Sequence, residues 1–417
     1  MRTAYRVVIV VLLALLPLPV LAQSAFYLKD GDRVVFYGDS ITDQRLYTTF
    51  TETFVLTRFP QMRVEFIHSG WGGDRVTGGG GGPIEVRLNR DVIIYRPTVI
   101  TVMLGMNDGR YRAFDQDTFN TYSAGYEKMV QTLRAALPAA RMTLIQPSPY
   151  DDVTRDPGFE GGYNAVLVRY GQFIKELAQR QGLDVADLNT SVVEALVKAR
   201  AADAATAQKI VPDRVHPAAP GHLLMAGALL KAWSAPGLVS SIEIDATSGR
   251  ATKAENSLVT DLTSGNSLSW TQTDKALPMP LDMKDPISVL ALKSSDFVQS
   301  LNQQPLKVTG LKGASYSLAI DGEEVGVFSK EALAEGLNLA VLPTPMARQA
   351  AAVHALTLKH NNIHFSRWRQ VQLPLENDPL VQKPLVLGAL DSLEAEIVQS
   401  QRATAQPKAH RFELNPR

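Results

Sequence analysis

The chain has 417 residues, and its 42 Lys and Arg residues balance its 42 Asp and Glu residues. This neutral charge gives no support to nucleic acid or an anionic membrane surface as a partner. The chain contains no cysteine, which excludes disulfides, thiolate metal sites and a cysteine nucleophile.

Residues 1–22 have the pattern of an export signal. Arg2 and Arg6 precede an uninterrupted apolar run that ends in the small or branched residues VLA. A membrane anchor is the alternative, but Pro17 and Pro19 favour cleavage. We therefore expect a secreted or periplasmic protein without stable membrane insertion.

The rest of the chain exceeds what one hydrophobic core usually organises, so we expect two domains, 23–235 and 236–417. In the first, short runs rich in β-branched and aromatic residues alternate with segments of helical period. This alternation predicts an α/β/α sandwich, three layers around a mainly parallel sheet. The predicted strands are 33–37, 63–67, 98–104, 141–146 and 183–188, and the predicted helices include 45–59, 117–137 and 164–181.

Residues 241 to 345 change character, because short alternating runs are separated there by Gly, Asp and Ser turns. The pattern predicts a smaller antiparallel β module, followed by terminal helices over 344–361 and 378–401. Pro384 must break or start the last helix. The predicted strands are 267–273, 288–294, 305–311, 315–321 and 323–329. Polysaccharide binding, covering the rim of the active site and stabilising the first domain are all compatible with this region.

Three motifs of the first domain follow successive predicted strands. Ser40 comes shortly after the first strand, HSGWGGD (68–74) follows the second, and GMNDG (105–109) follows the third. Ligands of parallel sheets bind at the carboxyl ends of the strands, where such loops converge. We therefore expect the three motifs to meet at one edge of the sheet.

A fourth motif supplies the remaining groups for acyl transfer. Serine needs a base to act as a nucleophile, and histidine suits that role near neutral pH. His216 follows Asp213 by three residues, so Asp213 could fix the ring's tautomer while the other nitrogen faces Ser40. The N–H groups of Ser40 and Gly73 and the side-chain amide of Asn107 are candidate donors to the oxyanion of the tetrahedral intermediate.

These four blocks, GDS, a glycine in GWGGD, GMND and DRVH, resemble in order and spacing those of the SGNH or GDSL-type hydrolases. The resemblance covers residues 32–235 and implies a flavodoxin-like fold and serine esterase chemistry. It also implies catalytic roles, which fall here on Ser40, Gly73, Asn107, Asp213 and His216. The second block often begins with asparagine, where this chain has His68.

Several other residues each have two alternative interpretations, one functional and one structural. Trp71, Arg110 and Tyr150 lie in loops at strand ends, where they could bind substrate or pack the rim. His360 and His364 have the i, i+4 spacing of two metal ligands on a helix, but no third ligand is evident in the sequence. We expect neither a metal nor an organic cofactor.

The sequence therefore predicts an exported serine ester hydrolase that removes small acyl groups, above all acetyl, from carbohydrate. A lipolytic or aryl-ester hydrolase and an O-acyltransferase acting on a sugar are the alternatives within this chemistry. An inactive binding or scaffolding protein is the alternative of another class.

Overall fold

The computed structural model describes residues 25–376 and 383–417, so the predicted export signal 1–22 lies outside the described residues. The first half of the chain alternates strands and helices as predicted. Its strands are β1 (Arg33–Gly38), β2 (Glu65–Gly70), β3 (Gly78–Gly79), β4 (Gly82–Pro83), β5 (Val99–Met103), β6 (Arg141–Ile145) and β7 (Asp184–Ala186). Its helices are α1 (Ser40–Asp43), α2 (Leu46–Arg58), α3 (Ile84–Asp91), α4 (Gln116–Ala136), α5 (Gly162–Gln181), α6 (Leu188–Ala202), α7 (Ala204–Ala207) and α8 (Ala219–Ala232).

Five of these strands form a parallel sheet in the order β2-β1-β5-β6-β7. All five residues of β5 are buried, as expected for a central strand with helices on both faces. The predicted α/β/α sandwich is confirmed. The second strand lies slightly later than predicted, because Glu65 to Gly70 pair in register with Arg33 to Gly38.

The second half of the chain contains two further sheets and the terminal helices. Its strands are β8 (Ser241–Asp245), β9 (Arg250–Glu255), β10 (Ser257–Ser264), β11 (Leu268–Asp274), β12 (Pro305–Thr309), β13 (Ser315–Ile320), β14 (Glu323–Ser329), β15 (Leu337–Asn338) and β16 (Ala409–Pro416). Its helices are α9 (Pro286–Lys293), α10 (Phe297–Leu301), α11 (Lys330–Glu335), α12 (Pro345–Phe365) and α13 (Lys383–Thr404). A π-helical segment, Ser366–Gln372, continues α12.

The predicted β-rich region is present, but strands β8, β9, β10, β15 and β16 lie outside the predicted strands, and two further features differ from the prediction. One sheet, β10-β11-β16-β13-β14, is antiparallel, but the other, β15-β12-β8-β9, contains the parallel pair β8 and β12. Residues 288–294, predicted as a strand, belong mostly to helix α9. Asp285 caps this helix by accepting the N–H groups of Ile287 and Ser288, and Pro286 fits its first turn.

Helix α2 connects the two halves of the molecule. It follows the loop after Ser40, and nearly all of its residues are buried because α8 and α12 pack against it. Three polar contacts join it to the carboxy-terminal helices: Thr53 to His354 at 2.9 Å, Thr49 to Asn361 at 2.8 Å and Glu52 to Gln401 at 3.0 Å.

Within residues 25–376 and 383–417, we find no helix with the length and apolar character needed to span a bilayer.

Candidate active site

The turn after β1 presents Ser40 at the edge of the parallel sheet. Asp39 caps helix α1 by accepting the backbone N–H of Ile41 at 3.0 Å, so Ser40 is the first helical residue. Gly38 is required by close packing, since a Cβ there would lie 2.2 Å from Thr42 Oγ1. The Gly-Asp-Ser sequence thus builds a turn too tight for a larger residue before the serine.

Ser40, His216 and Asp213 form a continuous hydrogen-bonded row. Ser40 Oγ lies 2.8 Å from His216 Nε2, and His216 Nδ1 lies 2.7 Å from Asp213 Oδ2. An ionised carboxylate can only accept, so Nδ1–H donates to Asp213 and Nε2 accepts the Ser40 hydroxyl proton. The sequence-predicted nucleophile, base and carboxylate therefore have the geometry that serine activation needs.

Asp213 is held ready as an ionised acceptor. Its Oδ1 accepts the backbone N–H groups of Val215 at 2.9 Å and His216 at 2.7 Å. Partial burial opposes ionisation, but these bonds and the His216 ring lower the pKa of Asp213 below its usual value. The row is also accessible, because the side chains of His216 and Asp213 are 35% and 56% exposed.

The loop after β2 places backbone donors beside Ser40. A Cβ built at Gly72 would lie 4.0 Å from Ser40 Cβ, and Gly73 has the left-handed φ of +77°. No atom lies within 4 Å of a Cβ position at Gly73, so its backbone borders open space. Ser40 begins α1, and the first N–H groups of a helix have no partner within the helix. The loop that contains Gly73 therefore comes close to Ser40 at Gly72, and the N–H of Ser40 has no partner within its helix.

The third predicted donor, Asn107, is oriented from both ends of its amide. Its Nδ2 donates one hydrogen to the carbonyl of Asp74 at 3.0 Å, and its Oδ1 accepts the hydroxyl of Tyr111 at 2.9 Å. The second hydrogen on Nδ2 remains for another acceptor. Sequence reasoning missed Tyr111, for which closeness to GMNDG was the only signal.

Two buried carboxyl groups lie beneath the site. Burial, reinforced by the charges of neighbouring aspartates, raises the pKa of Asp39 to about 7. Burial also raises the pKa of Asp108 to about 7, while the N–H of Val76 opposes the shift. Near neutral pH these two groups therefore carry less than their full negative charge.

The predicted substrate-binding residues occupy different surroundings. The Tyr150 ring lies 6.3 Å from that of Tyr111 and 5.9 Å from the guanidinium of Arg214, so it borders the loop of Asp213. Arg110 is exposed, with a φ of 57°, and its guanidinium has no hydrogen-bond or ion-pair partner among the described residues.

Trp71 is packed by the carboxy-terminal half of the chain. Its ring meets that of Trp368 edge-on at 5.9 Å, and the guanidinium of Arg369 lies against its face. Its partial burial at the site therefore reflects a contact between the two halves, and a role in substrate binding stays a prediction.

Two buried histidines near the site have structural partners. His222 accepts the N–H of Tyr47 at 3.2 Å and lies 3.0 Å from Gln44 Oε1, and burial lowers its pKa to about 3. His68, in the second block, lies 2.7 Å from Thr48 Oγ1. Neither ring contacts Ser40.

His360 and His364, considered as metal ligands, both face a carboxylate. Their ring nitrogens lie 3.1 and 3.3 Å from Glu394 Oε1, and His360 also lies 3.3 Å from Glu52. Across the part of the chain that the structure describes, no three His, Asp or Glu side chains are arranged to hold a metal ion.

Known proteins resemble the first half of this chain. Residues 36–224 match the GDSL-like lipase/acylhydrolase family. An acetylxylan esterase of Geobacillus stearothermophilus is 23% identical over 221 residues, which cover 48% of this chain and 93% of that protein. A solved structure of an acetylxylan esterase from the same organism has 21% identity and a TM-score of 0.40, covering 50% of this chain and 96% of its own.

One solved structure resembles nearly the whole chain. A gut microbial diltiazem-metabolizing enzyme is 26% identical with a TM-score of 0.82, covering 95% of this chain and 100% of its own. The fold it shares therefore includes the carboxy-terminal sheets and helices. The match of residues 36–224 to the GDSL-like lipase/acylhydrolase family identifies this part of the chain as a carboxylic ester hydrolase domain.

Proposed function

We propose that the chain hydrolyses small acyl esters, above all acetyl esters of carbohydrate alcohols, through an acyl-enzyme on Ser40. The observation that carries the proposal is the row from Ser40 Oγ through His216 to Asp213, with distances of 2.8 and 2.7 Å. Tight nucleophile-to-base and base-to-carboxylate contacts are the signature of an activated serine.

In the first half of the reaction, Ser40 Oγ attacks the ester carbonyl carbon while its proton moves to His216 Nε2. The carbonyl oxygen becomes an oxyanion that accepts the N–H groups of Ser40 and Gly73 and the free amide hydrogen of Asn107. When the intermediate collapses, the bond to the alcohol oxygen breaks and His216 gives that oxygen its proton. The acyl group stays on Ser40.

In the second half, water takes the place of the alcohol. His216 removes a proton from water as it attacks the acyl-enzyme, and the same donors stabilise the second oxyanion. Collapse releases the carboxylic acid and returns the proton to Ser40 Oγ. A sugar hydroxyl that entered instead of water would give acyl transfer, so the products separate these two reactions.

The rim of the site supports a ring-shaped alcohol. Tyr111 is 44% exposed, and it lies beside Tyr150 on the side of the site formed by the loop of Asp213. Flat aromatic faces next to hydrogen-bonding groups suit a sugar ring, whose two faces are apolar and whose edges are polar. The acetylxylan esterase to which the chain is similar supports the same substrate class.

Acetate release from acetylated xylo-oligosaccharides, compared with cleavage of long-chain acyl esters, tests the substrate proposal. We expect wild-type protein to favour acetyl esters and Ser40→Ala to lose turnover, while Ser392→Ala on the exposed surface of α13 remains active. A clear preference for long acyl chains would contradict the proposal, and equal rates in wild type and Ser40→Ala would contradict the mechanism.

An aromatic alcohol is a second candidate, favoured by the structural similarity along 95% of this chain. Diltiazem is an acetate ester whose alcohol part carries aromatic rings, so it needs the same chemistry on a different leaving group. Measuring kcat/KM for diltiazem and for an acetylated sugar on the same preparation ranks the two. A higher value for diltiazem would replace the carbohydrate as the preferred alcohol.

We also propose that the protein is exported. The support is the sequence of residues 1–22, in which Arg2 and Arg6 precede an apolar run. Amino-terminal sequencing of the protein from cell fractions tests this. A mature chain that begins near residue 23 outside the cytoplasm agrees with export, whereas an intact amino terminus in the cytoplasm contradicts it.

A further inference from the structure

The loop from Trp71 to Asp74, which contains Gly73, is hydrogen-bonded to one buried arginine, Arg87. The guanidinium of Arg87 donates to the carbonyl of Ser69 at 2.8 Å and to Asp74 Oδ2 at 2.7 Å. Arg87 and Asp74 are both fully buried. The start and the end of the loop are therefore fixed by the same planar group, whose geometry allows little adjustment.

Arg87 is linked through Asp91 to the carboxy-terminal half of the chain. Its Nη1 donates to Asp91, and Asp91 Oδ1 accepts the indole N–H of Trp368 at 2.9 Å. Trp368 lies in the π-helical segment, is 1% exposed and also touches Trp71 edge-on. Local π-helical geometry occurs frequently at functional sites. The π-helical segment thus meets this loop at Trp71 directly and at Asp74 through two buried side chains.

The same loop positions the remaining oxyanion donor. The carbonyl of Asp74 accepts Asn107 Nδ2 at 3.0 Å, so a shift of the loop moves Gly73 and Asn107 together. Residues 36–224 match the family, and Trp368 lies outside that range. Trp368, although outside residues 36–224, is therefore connected through a chain of contacts to the donors proposed to stabilise the transition state.

We propose that Trp368 is a positioning residue, which fixes Asp91, Arg87 and Asp74 so that Gly73 and Asn107 lie where the oxyanion forms. This rests on the proposed serine mechanism. An oxyanion forms only during reaction, so displaced donors lower kcat and leave KM nearly unchanged. Losing one donor outright costs about 10²- to 10³-fold in kcat, so a displacement costs less, about 10-fold.

The test compares Trp368→Phe with Trp270→Phe. Trp270 is also fully buried in the carboxy-terminal half, and its indole N–H donates to Gln272 at 3.2 Å, within the same β-sheet strand. Both variants lose a buried indole N–H, but only Trp368 reaches the loop. We expect Trp368→Phe to lower kcat about 10-fold per titrated active site with little change in KM, and Trp270→Phe to keep the wild-type kcat.

The second measurement is the inhibition constant, Ki, of a boronic acid that forms a tetrahedral adduct with Ser40. A merely structural role of Trp368 would leave this Ki unchanged. We expect the Ki to rise in Trp368→Phe by the same factor as kcat falls. Unchanged kcat and Ki, or a fall in kcat with unchanged Ki, would overturn the proposal. If Trp368→Phe does not fold, Asp91→Asn is measured in the same way, and a wild-type Ki in that variant also overturns it. Failure of the serine mechanism would be seen separately, as wild-type protein that neither turns over nor binds the boronate.

Discussion

Ser40 Oγ and His216 Nε2 lie 2.8 Å apart although 176 residues separate them in sequence. The parallel sheet produces this contact, because β1 delivers Ser40 to the edge at which the loop before α8 delivers His216. The hydroxyl therefore has a base within hydrogen-bond distance before any ester binds.

Asp213→Asn is expected to remove most activity while the fold is kept. An asparagine oxygen can still accept the N–H groups of Val215 and His216, but its NH₂ faces Nδ1 and favours the tautomer that cannot take the Ser40 proton. The corresponding change in another serine hydrolase lowers kcat about 10⁴-fold. Steady-state kinetics and circular dichroism check this, and an active Asp213→Asn would show that the carboxylate is dispensable.

Gly73→Ala and Asn107→Ala are expected to lower kcat for different reasons. Asn107→Ala removes a donor, at a cost of about 3 kcal/mol of transition-state stabilisation. Gly73→Ala meets no atom within 4 Å, so its cost comes from the left-handed φ of +77°, about 1 kcal/mol, and from any rotation of the N–H. Kinetics with an acetyl ester compare the two with Gly158→Ala, a loop glycine whose Cβ would also meet no atom. A Gly73→Ala enzyme with wild-type kcat would remove that N–H from the site.

Tyr111→Phe is expected to lower kcat about 5- to 10-fold, because a neutral hydrogen bond contributes about 1 kcal/mol. The lost bond is that to Asn107 Oδ1, which orients the amide. Tyr150→Phe is the matched control, since its ring borders the same rim without a described bond to Asn107. Equal effects on KM in both variants, with kcat unchanged, would instead assign Tyr111 to substrate binding alone.

The buried cluster between α2 and the carboxy-terminal helices predicts how stability varies with pH. His360 faces Glu52 on α2 and Glu394 on α13, with His364 and His68 also nearby. Burial opposes protonation of His360, but the two carboxylates prevail and raise its pKa to about 10. Burial likewise opposes ionisation of Glu52, yet His360 and His68 lower its pKa to about 2.

The directions of these pKa shifts define the pH range in which the buried cluster stabilises the fold. The raised pKa of His360 stabilises the fold fully below pH 6.5, and this stabilisation is lost as pH rises through about 10. The lowered pKa of Glu52 stabilises it above pH 4.5, and this is lost as pH falls through about 2. His68, whose burial lowers its pKa to about 4, opposes folding as pH falls below 6.5.

His360→Gln should therefore destabilise the protein most near pH 6 and progressively less toward pH 10. Breaking a buried ion pair costs about 3 kcal/mol, so the fall in Tm is readily measured by calorimetry. His410→Gln removes a histidine paired with the half-exposed Asp321 and should cost much less. A Tm difference for His360→Gln that stays constant from pH 6 to pH 10 would contradict the charged pair.

The sequence predicts the parallel sheet and the Ser40–His216 row because both depend on local patterns. Apolar runs mark the strands, and the motifs follow those runs directly, so parallel topology alone brings Ser40 and Asn107 to one edge. The sequence of helix α9 is predicted as a strand because a short apolar run has no decisive period. The Asp285–Pro286 pair was the available signal, since it combines a helix cap with a proline in the first turn.

The contacts made by the π-helical segment could not be predicted in the same way. Trp368 and Asp91 are 277 residues apart, and nothing in either local sequence specifies the other. Periodicity shows that a helix buries one face but not which loop it meets. The contacts between the carboxy-terminal half and the loop of Gly73 are therefore visible only in the three-dimensional arrangement.

If the acyl group passes through Ser40, an acyl-enzyme can be trapped during turnover. Wild-type protein is mixed with 4-nitrophenyl acetate, quenched in acid during turnover, digested and analysed by mass spectrometry. We expect an acetyl group on the peptide that contains Ser40. Turnover with no acetylated Ser40, or acetyl on another residue that disappears at the rate of turnover, would contradict it.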